Sequence, residues 1–561
     1  MNLKLELSKK LKIKGVSQEE IYALLGTPPD AGLGDFCMPC FTIAKAAGKS
    51  PADVAAEVCK QAESAEGVSS ALVAGGYANF KLDRNQFVAE IIKSVKDPQT
   101  IKDLGKVGAG KTLCIDFSSI NIAKQPHIGH LSSTAIGAAI ARLHELFGYK
   151  VIRINYLGDY GTQFGKLVVA YKKWGNKADI EKRGIAALQE LYVKVNEECE
   201  RDEVLLNDCR DAMRAINERE AEVTQIFEWF KELTLKEVMA IYEPLGLTFD
   251  DWRGEYFYAD KVEAVFSELE QKGVATISEG ALVVDLEQYN LGTAIVRQSN
   301  GASIYLSRDI AAAEDRASLY KFDKMIYITG TEQILHFKQL FKTMELLGYK
   351  WANGLMHAPH GRYSLTTGKI SSRTGAVALV KDLFKQSIER AELALSERGT
   401  EVDGVLAREL GLGALVFGAL KRERQKDVVF DMDAALKFEG DTSVYIQYTH
   451  ARCCSVLEKG KAFNVDNADC SNLNSDDAWD VLKLLSSAPQ VYRLAIDTYE
   501  PCEVSRFLLN LSTAFNAFYA KERIVTEDAK TTEAKLTLTK LVATTLAEGL
   551  KLLGISAPER M

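Results

Sequence analysis

The residues best suited to chemistry on a phosphate are two histidines and a glycine in the run Asn121-Ile122-Ala123-Lys124-Gln125-Pro126-His127-Ile128-Gly129-His130. With 7 histidines and 40 glycines in 561 residues, a His-x-Gly-His string is expected by chance only about 0.006 times. The run sits between a short apolar stretch, residues 112–117, and a stretch rich in small residues, 131–147, so it joins a strand to a helix. A helix N-terminus at the carboxyl end of a parallel strand offers free backbone N–H groups and the positive end of the helix dipole to a phosphate. Imidazoles placed there donate to phosphoryl oxygens as charge builds on them, and the glycine leaves room for a base or ribose against the backbone. The plainer use of His127 and His130 is to cap the helix and pack.

Three further groups carry candidates. In Lys369-Ile370-Ser371-Ser372-Arg373-Thr374-Gly375, a loop lysine stabilises a triphosphate once the loop closes over it; an ordinary surface loop is the competing reading. In Tyr305-Leu306-Ser307-Arg308-Asp309, positions 305 and 309 share a face if the helix has begun, whereas Ser307 as an N-cap would make Asp309 a first-turn acid. Gly330-Thr331-Glu332-Gln333-Ile334-Leu335-His336 follows an apolar run ending at Thr329, which puts Gln333 at the carboxyl edge of a sheet.

These groups need a scaffold, and the apolar pattern supplies one. Residues 112–117, 131–147 and 151–156 read as strand, helix and strand, a βαβ unit feeding a parallel sheet. A charged, helix-patterned segment, about 177–245, interrupts it before strand signals return at 281–286 and 325–329. Residues 1–108 read as a small α/β unit, with a helix over 18–25 and an alternating strand over 77–82. Beyond about Val380 strand signals almost vanish, and helical periodicity at 442–457, 481–485, 505–523 and 536–553 predicts an all-α bundle. The expected division is therefore 1–108, 109–385 and 386–561.

The His127 to His130 run resembles the HIGH signature of class I aminoacyl-tRNA synthetases. Its flank, from Asp116 to Lys124, is similar to the arginine-specific members, although Ile120 stands where that family usually has proline. The run from Lys369 to Gly375 resembles the family's KMSKS loop, with Ser372 in place of the second lysine. Members lacking that lysine commonly carry one just before the HIGH histidine, and Lys124 sits there. The resemblance implies a Rossmann-type catalytic domain with a helical insertion, a small N-terminal α/β domain that contacts the tRNA elbow, and a C-terminal helical bundle that binds the anticodon. It rests also on Gly34-Asp35-Phe36 and Gly75-Gly76-Tyr77-Ala78-Asn79-Phe80 at one end, and on the run from Glu439 to Arg452 and the terminal segment Leu553 to Met561 at the other. By the same resemblance, His127, Gly129, His130, Lys124, Lys369, Ser371 and Ser372 serve catalysis and ATP binding with Mg²⁺ on the phosphates. Asp116, Ser119, Asn121, Tyr305, Asp309 and Gln333 hold arginine. The guanidinium is a planar cation with five donors, and a carboxylate is its natural bidentate partner. Arginine, ATP and the arginine tRNA are the implied partners of a monomer. A synthetase of other specificity and a catalytically inactive tRNA-binding paralogue are the rival readings.

Bulk composition is compatible with this. The chain is 47% hydrophobic and 26% charged, and it holds no apolar stretch of membrane-spanning length. The first residues lack the apolar core of a secretory signal and the character of a mitochondrial leader, which makes the cytoplasm the expected compartment. Ten cysteines, with Cys37 and Cys40 the only CxxC, lack the second pair that a zinc site needs and are expected to be buried thiols. A net charge of −8 does not oppose nucleic acid, because phosphate binding depends on local basic patches.

Overall fold

The computed structural model describes residues 2–366, 378–399 and 403–561. At its centre four short strands form a parallel sheet in the order Leu355–His357, Lys324–Tyr327, Thr112–Asp116, Lys150–Ile154. Leu113, Cys114 and Ile115 are wholly buried, as strands covered on both faces must be. The Ile128–Leu146 helix connects Thr112–Asp116 to Lys150–Ile154 on one side, and the Ile334–Leu346 helix connects Lys324–Tyr327 to Leu355–His357 on the other. The order therefore reverses between Asp116 and Tyr327, which are register partners, and a ligand crevice opens at such a switch point.

The Ile128–Leu146 helix is rich in Ala, Ser and Gly and is buried along most of its length, because the Gly404–Leu420 helix covers the side that the sheet leaves open. A Cβ on Gly137 would lie 2.3 Å from the Phe117 ring, so only glycine lets the helix come this close to the strand end. Small residues here are a packing requirement.

Between the second and third strands the chain builds helices over Lys177–Arg183, Ile185–Cys199, Glu203–Asn217 and Ala221–Tyr242, then a small antiparallel sheet of Thr276–Ser278, Ala281–Asp285 and Thr293–Arg297. The N-terminal unit is a three-stranded antiparallel sheet, Phe36–Pro39, Val68–Ala74 and Tyr77–Leu82, backed by the Pro51–Ala62 helix, while the Arg84–Lys96 helix packs on the Asp476–Thr498 helix of the bundle. Cys37 and Cys40 are buried in it. The C-terminal third is helical, from Val380–Glu397 to Ala529–Leu553, apart from the strand Val428–Phe430, which pairs in parallel with Tyr363–Leu365. Three residues are too short to show a periodicity, and their partner lies far back in the sequence. One continuous apolar core runs from the N-terminal unit through one face of the sheet into the bundle, and a second fills the other face. Among the described residues no helix is long and apolar enough to cross a membrane.

Candidate active site

His127 is the N-cap of the Ile128–Leu146 helix, and its Nδ1 accepts from the Gly129 N–H at 3.1 Å. His130 reaches back, and its Nδ1 accepts from the His127 N–H at 3.1 Å. The rings lie 3.9 Å apart between centroids. Burial, and then the Lys124 charge, lowers the pKa of His127; burial, and then the neighbouring His127, takes His130 down to about 3. Two neutral imidazoles that accept at Nδ1 must carry their proton on Nε2. Capping therefore fixes the tautomer and leaves each ring one N–H donor. Both residues line a cavity of about 700 Å³ whose other walls include Ser133, Gly330 and His360. The capping use and the phosphate use of the pair are not alternatives.

The loop leading to the histidines is held in a costly shape. Ser118, Ser119 and Ala123 have φ of 70°, 44° and 59°, a left-handed region that non-glycine residues rarely occupy. The Ala221–Tyr242 helix of the insertion braces it. The Tyr242 hydroxyl meets Ser118 Oγ at 2.5 Å and accepts from Asn155 Nδ2 at 2.9 Å, while Thr234 Oγ1 accepts from the Ala123 N–H at 3.0 Å. Tyr242→Phe removes a buried hydroxyl and takes from Asn155 Nδ2 its acceptor, while Ser118 keeps its bond from Thr134, so it should cost about 1–3 kcal/mol of stability. It should also lower turnover, as the loop relaxes toward unstrained φ values. Thermal unfolding and initial-rate measurements on the same preparation check both effects.

A second cavity, about 490 Å³, adjoins the first and shares Ser119, Asn121, Thr329, Glu332 and Gln333 with it. Asp309, Tyr305, Glu255, Tyr156, Arg316 and His336 are among its other polar walls. The Tyr305–Tyr320 helix begins at Tyr305 with Ile304 as N-cap, and Ser307 Oγ bonds to Ile304 rather than capping from outside. Asp309 thus sits one turn beyond Tyr305 on the face toward the cavity. Asp309 Oδ2 lies 2.6 Å from His336 Nε2. Burial disfavours the His336 imidazolium, but the hydrogen bond and charge of Asp309 outweigh it and raise the pKa. Burial raises Glu255 to about 7, with Asp309 adding to the rise and Arg308, 2.9 Å away, opposing it.

Asp116 lies at the floor of this second cavity, at the switch point. Its carboxylate accepts from Arg316 Nη1 at 2.9 Å and from Ser119 Oγ at 3.0 Å. Burial pushes the Asp116 carboxyl up, while the permanently charged Arg316 guanidinium beside it and its hydrogen bonds oppose that rise and favour the carboxylate. Asn121 is bridged to Gly158, where a Cβ would come within 2.4 Å of Asn121 Oδ1. The structure thus brings His127, Gly129, His130, Ser119, Asn121 and Gln333 around one cavity, and Asp116, Ser119, Asn121, Tyr305, Asp309 and Gln333 around the other. Lys124 stands exposed on the same loop. Lys369, Ser371 and Ser372 lie outside the described residues. Glu255, Tyr156, Arg316, His336, Tyr242 and Thr234 were not singled out as site residues from sequence, and no spacing marks them.

A strand-order reversal carrying a His-x-Gly-His helix start, with a helical insertion bracing it, defines a class I aminoacyl-tRNA synthetase catalytic domain, and the family model for the catalytic domain of class I (R) tRNA synthetases matches residues 96–432. Models of the arginyl-tRNA synthetase N-terminal domain and of the DALR anticodon-binding domain match residues 1–82 and 446–561. Curated arginine–tRNA ligases from Clostridioides difficile and Clostridium perfringens are each 40% identical, covering 98% and 97% of both chains respectively. In fold, the chain is similar to the arginyl-tRNA synthetase of Thermus thermophilus, with a TM-score of 0.80, 24% identity and 96% of each chain covered. The chain belongs to the arginyl-tRNA synthetase family.

Proposed function

We propose that this chain is an arginine–tRNA ligase that activates arginine with ATP and esterifies it onto the 3′-terminal adenosine of the arginine tRNA, acting as a monomer in the cytoplasm. The observation that carries the reading is the junction of the two cavities. Neutral imidazole donors stand on one side, the acidic groups Asp116, Glu255 and Asp309 on the other, and Ser119, Asn121 and Gln333 belong to both. The guanidinium enters between Asp309 and Glu255, and Tyr305 closes over it. The arginine carboxylate then lies beside Ser119 and Asn121, in reach of the α-phosphorus. Its oxygen attacks in line, the bond from the α-phosphorus to the bridging oxygen breaks, and pyrophosphate leaves. Catalysis is positioning plus charge stabilisation by the Nε2–H groups of His127 and His130, with Lys124 and Lys369 as cationic partners of the phosphates and Ser371 and Ser372 assisting from the same KMSKS-like sequence as Lys369. Mg²⁺ would arrive on the triphosphate as part of the substrate. In the second step the terminal 2′-hydroxyl attacks the adenylate carbonyl and AMP leaves.

Residues 1–108 would grip the tRNA elbow, 109–385 perform the chemistry and 386–561 hold the anticodon. The deciding experiment is arginine-dependent exchange of pyrophosphate into ATP, run with and without tRNA. Exchange with arginine in the presence of tRNA is expected. A blank in both conditions would mean an inactive paralogue, and exchange with another amino acid would mean another specificity.

A further inference from the structure

The Gly34-Asp35-Phe36 motif lines neither active-site cavity. Gly34 has φ 142°, and a Cβ there would lie 2.6 Å from the Phe80 carbonyl oxygen, which accepts instead from the Asp35 N–H at 2.8 Å. The turn therefore presses Asp35 into the seam between the N-terminal unit and the bundle. Asp35 is 6% exposed, and its two carboxylate oxygens serve different units. Oδ2 accepts from the Leu82 N–H at 2.9 Å within the N-terminal sheet. Oδ1 accepts from Trp479 Nε1 at 2.7 Å and Lys483 Nζ at 3.1 Å, both on the Asp476–Thr498 helix. Trp479 is fully buried.

Beside this contact the seam is not filled. A cavity of about 610 Å³ lies between Lys4, Tyr22 and Phe36 on one unit and Lys483, Gln490 and Asn510 on the other. The two units share an apolar core along the rest of the seam, but beside this contact packing does not fill the interface, so the angle between them is set there by polar contacts. A buried carboxylate that must keep three donors in fixed directions holds that angle, because separating the units would strand its charge. The more exposed contacts nearby, Arg84 to Asp476 at 2.6 Å and Lys96 Nζ to the Asp466 carbonyl at 3.0 Å, follow the same seam with less directional force.

We infer that Asp35 is a positioning residue for tRNA: through Trp479 and Lys483 it locks the angle between the N-terminal unit and the helical bundle, and so sets the span between two tRNA-gripping surfaces. This rests on the function proposed above. When two surfaces hold one rigid ligand, engagement of the second is effectively intramolecular, and its gain vanishes once their spacing wanders. Arginine and ATP, bound at the sheet, do not sense that spacing.

The test uses the full-length chain with Asp35→Asn, Trp479→Phe and Lys483→Arg. With a full-length arginine tRNA transcript, Asp35→Asn should raise KM for tRNA about tenfold, with kcat and the KM values for arginine and ATP within about twofold of wild type. Trp479→Phe should shift KM in the same direction by less, and Lys483→Arg, which keeps the charge, should stay near wild type. Small-angle scattering of the free Asp35→Asn protein should show a larger radius of gyration. An unchanged KM for tRNA or an unchanged radius would overturn the inference. So would a parallel loss in every kinetic constant, which marks a merely structural residue. Wild-type protein that charges no arginine would count against the proposed function, and the scattering result would still judge the lock.

Discussion

Asp309→Asn should lower kcat/KM for arginine by roughly 10²–10³-fold while leaving KM for ATP within about twofold, because removing one member of a buried charge pair costs about 2–5 kcal/mol. The side chain keeps its shape, so what disappears is the negative charge facing the guanidinium and His336. Glu255 remains, and without Asp309 beside it one of the influences raising it to about 7 is gone. Some affinity therefore survives. The pH dependence carries a sharper signature. In the wild type, acidification protonates Glu255 near pH 7 and makes His336, whose pKa lies above its ordinary 6.5, a cation that competes for Asp309. Both changes act in the same direction, so KM for arginine should rise as pH falls through about 7, and arginine binding should release protons. In Asp309→Asn the His336 pKa drops, because burial is left unopposed, and this dependence should flatten. Exchange kinetics from pH 6 to pH 9 would decide it; a steep dependence retained in the variant would remove Asp309 from the pocket.

The sequence made the scaffold readable where one periodicity dominates. Tyr77–Leu82 appears as expected from its alternation, and the helix and strand runs around Thr112–Asp116 shift only by a few residues at their ends. Ends are set by caps, and the His127 cap extends the central helix three residues further back than its apolar pattern indicates. His127, Gly129 and His130 were legible because their types are rare together. Tyr242 and Thr234 were not, because a hydroxyl on an amphipathic helix has no mark of function until folding lays it against a loop more than a hundred residues earlier in the chain. Glu255 was hidden for a related reason. It opens a five-residue helix whose N-cap, Gly254, is pressed so closely on Asp159 that a Cβ would lie 2.3 Å from the carboxylate, and that closeness is a tertiary fact. Arg316 reads as one more charge on a helix, yet it is the buried counter-ion of Asp116.

The histidine pair gives the other large effect, and capping supplies the way to dissect it. His130→Ala should reduce kcat for arginine-dependent exchange by roughly 10²–10³-fold, the scale of losing one donor aimed at developing phosphoryl charge. It should also cost about 1 kcal/mol of stability, because the His127 N–H loses its acceptor. At position 127 the two roles separate. Asparagine is a good N-cap, so His127→Asn should keep the helix start and the melting temperature, whereas its short amide cannot place a donor where Nε2–H stood. Stability retained with turnover lost would assign the imidazole to chemistry; turnover retained with stability would assign it to capping alone. The double variant should lose less than the product of the singles, because each ring holds the other in place at 3.9 Å. His130 titrates near 3 and so stays neutral from pH 6 to 9, while burial and the Lys124 charge hold His127 below the ordinary imidazole range. An acid limb near pH 7 should come from the Glu255 and His336 side of the cleft, and it should keep its midpoint in His127→Asn even as the rate falls.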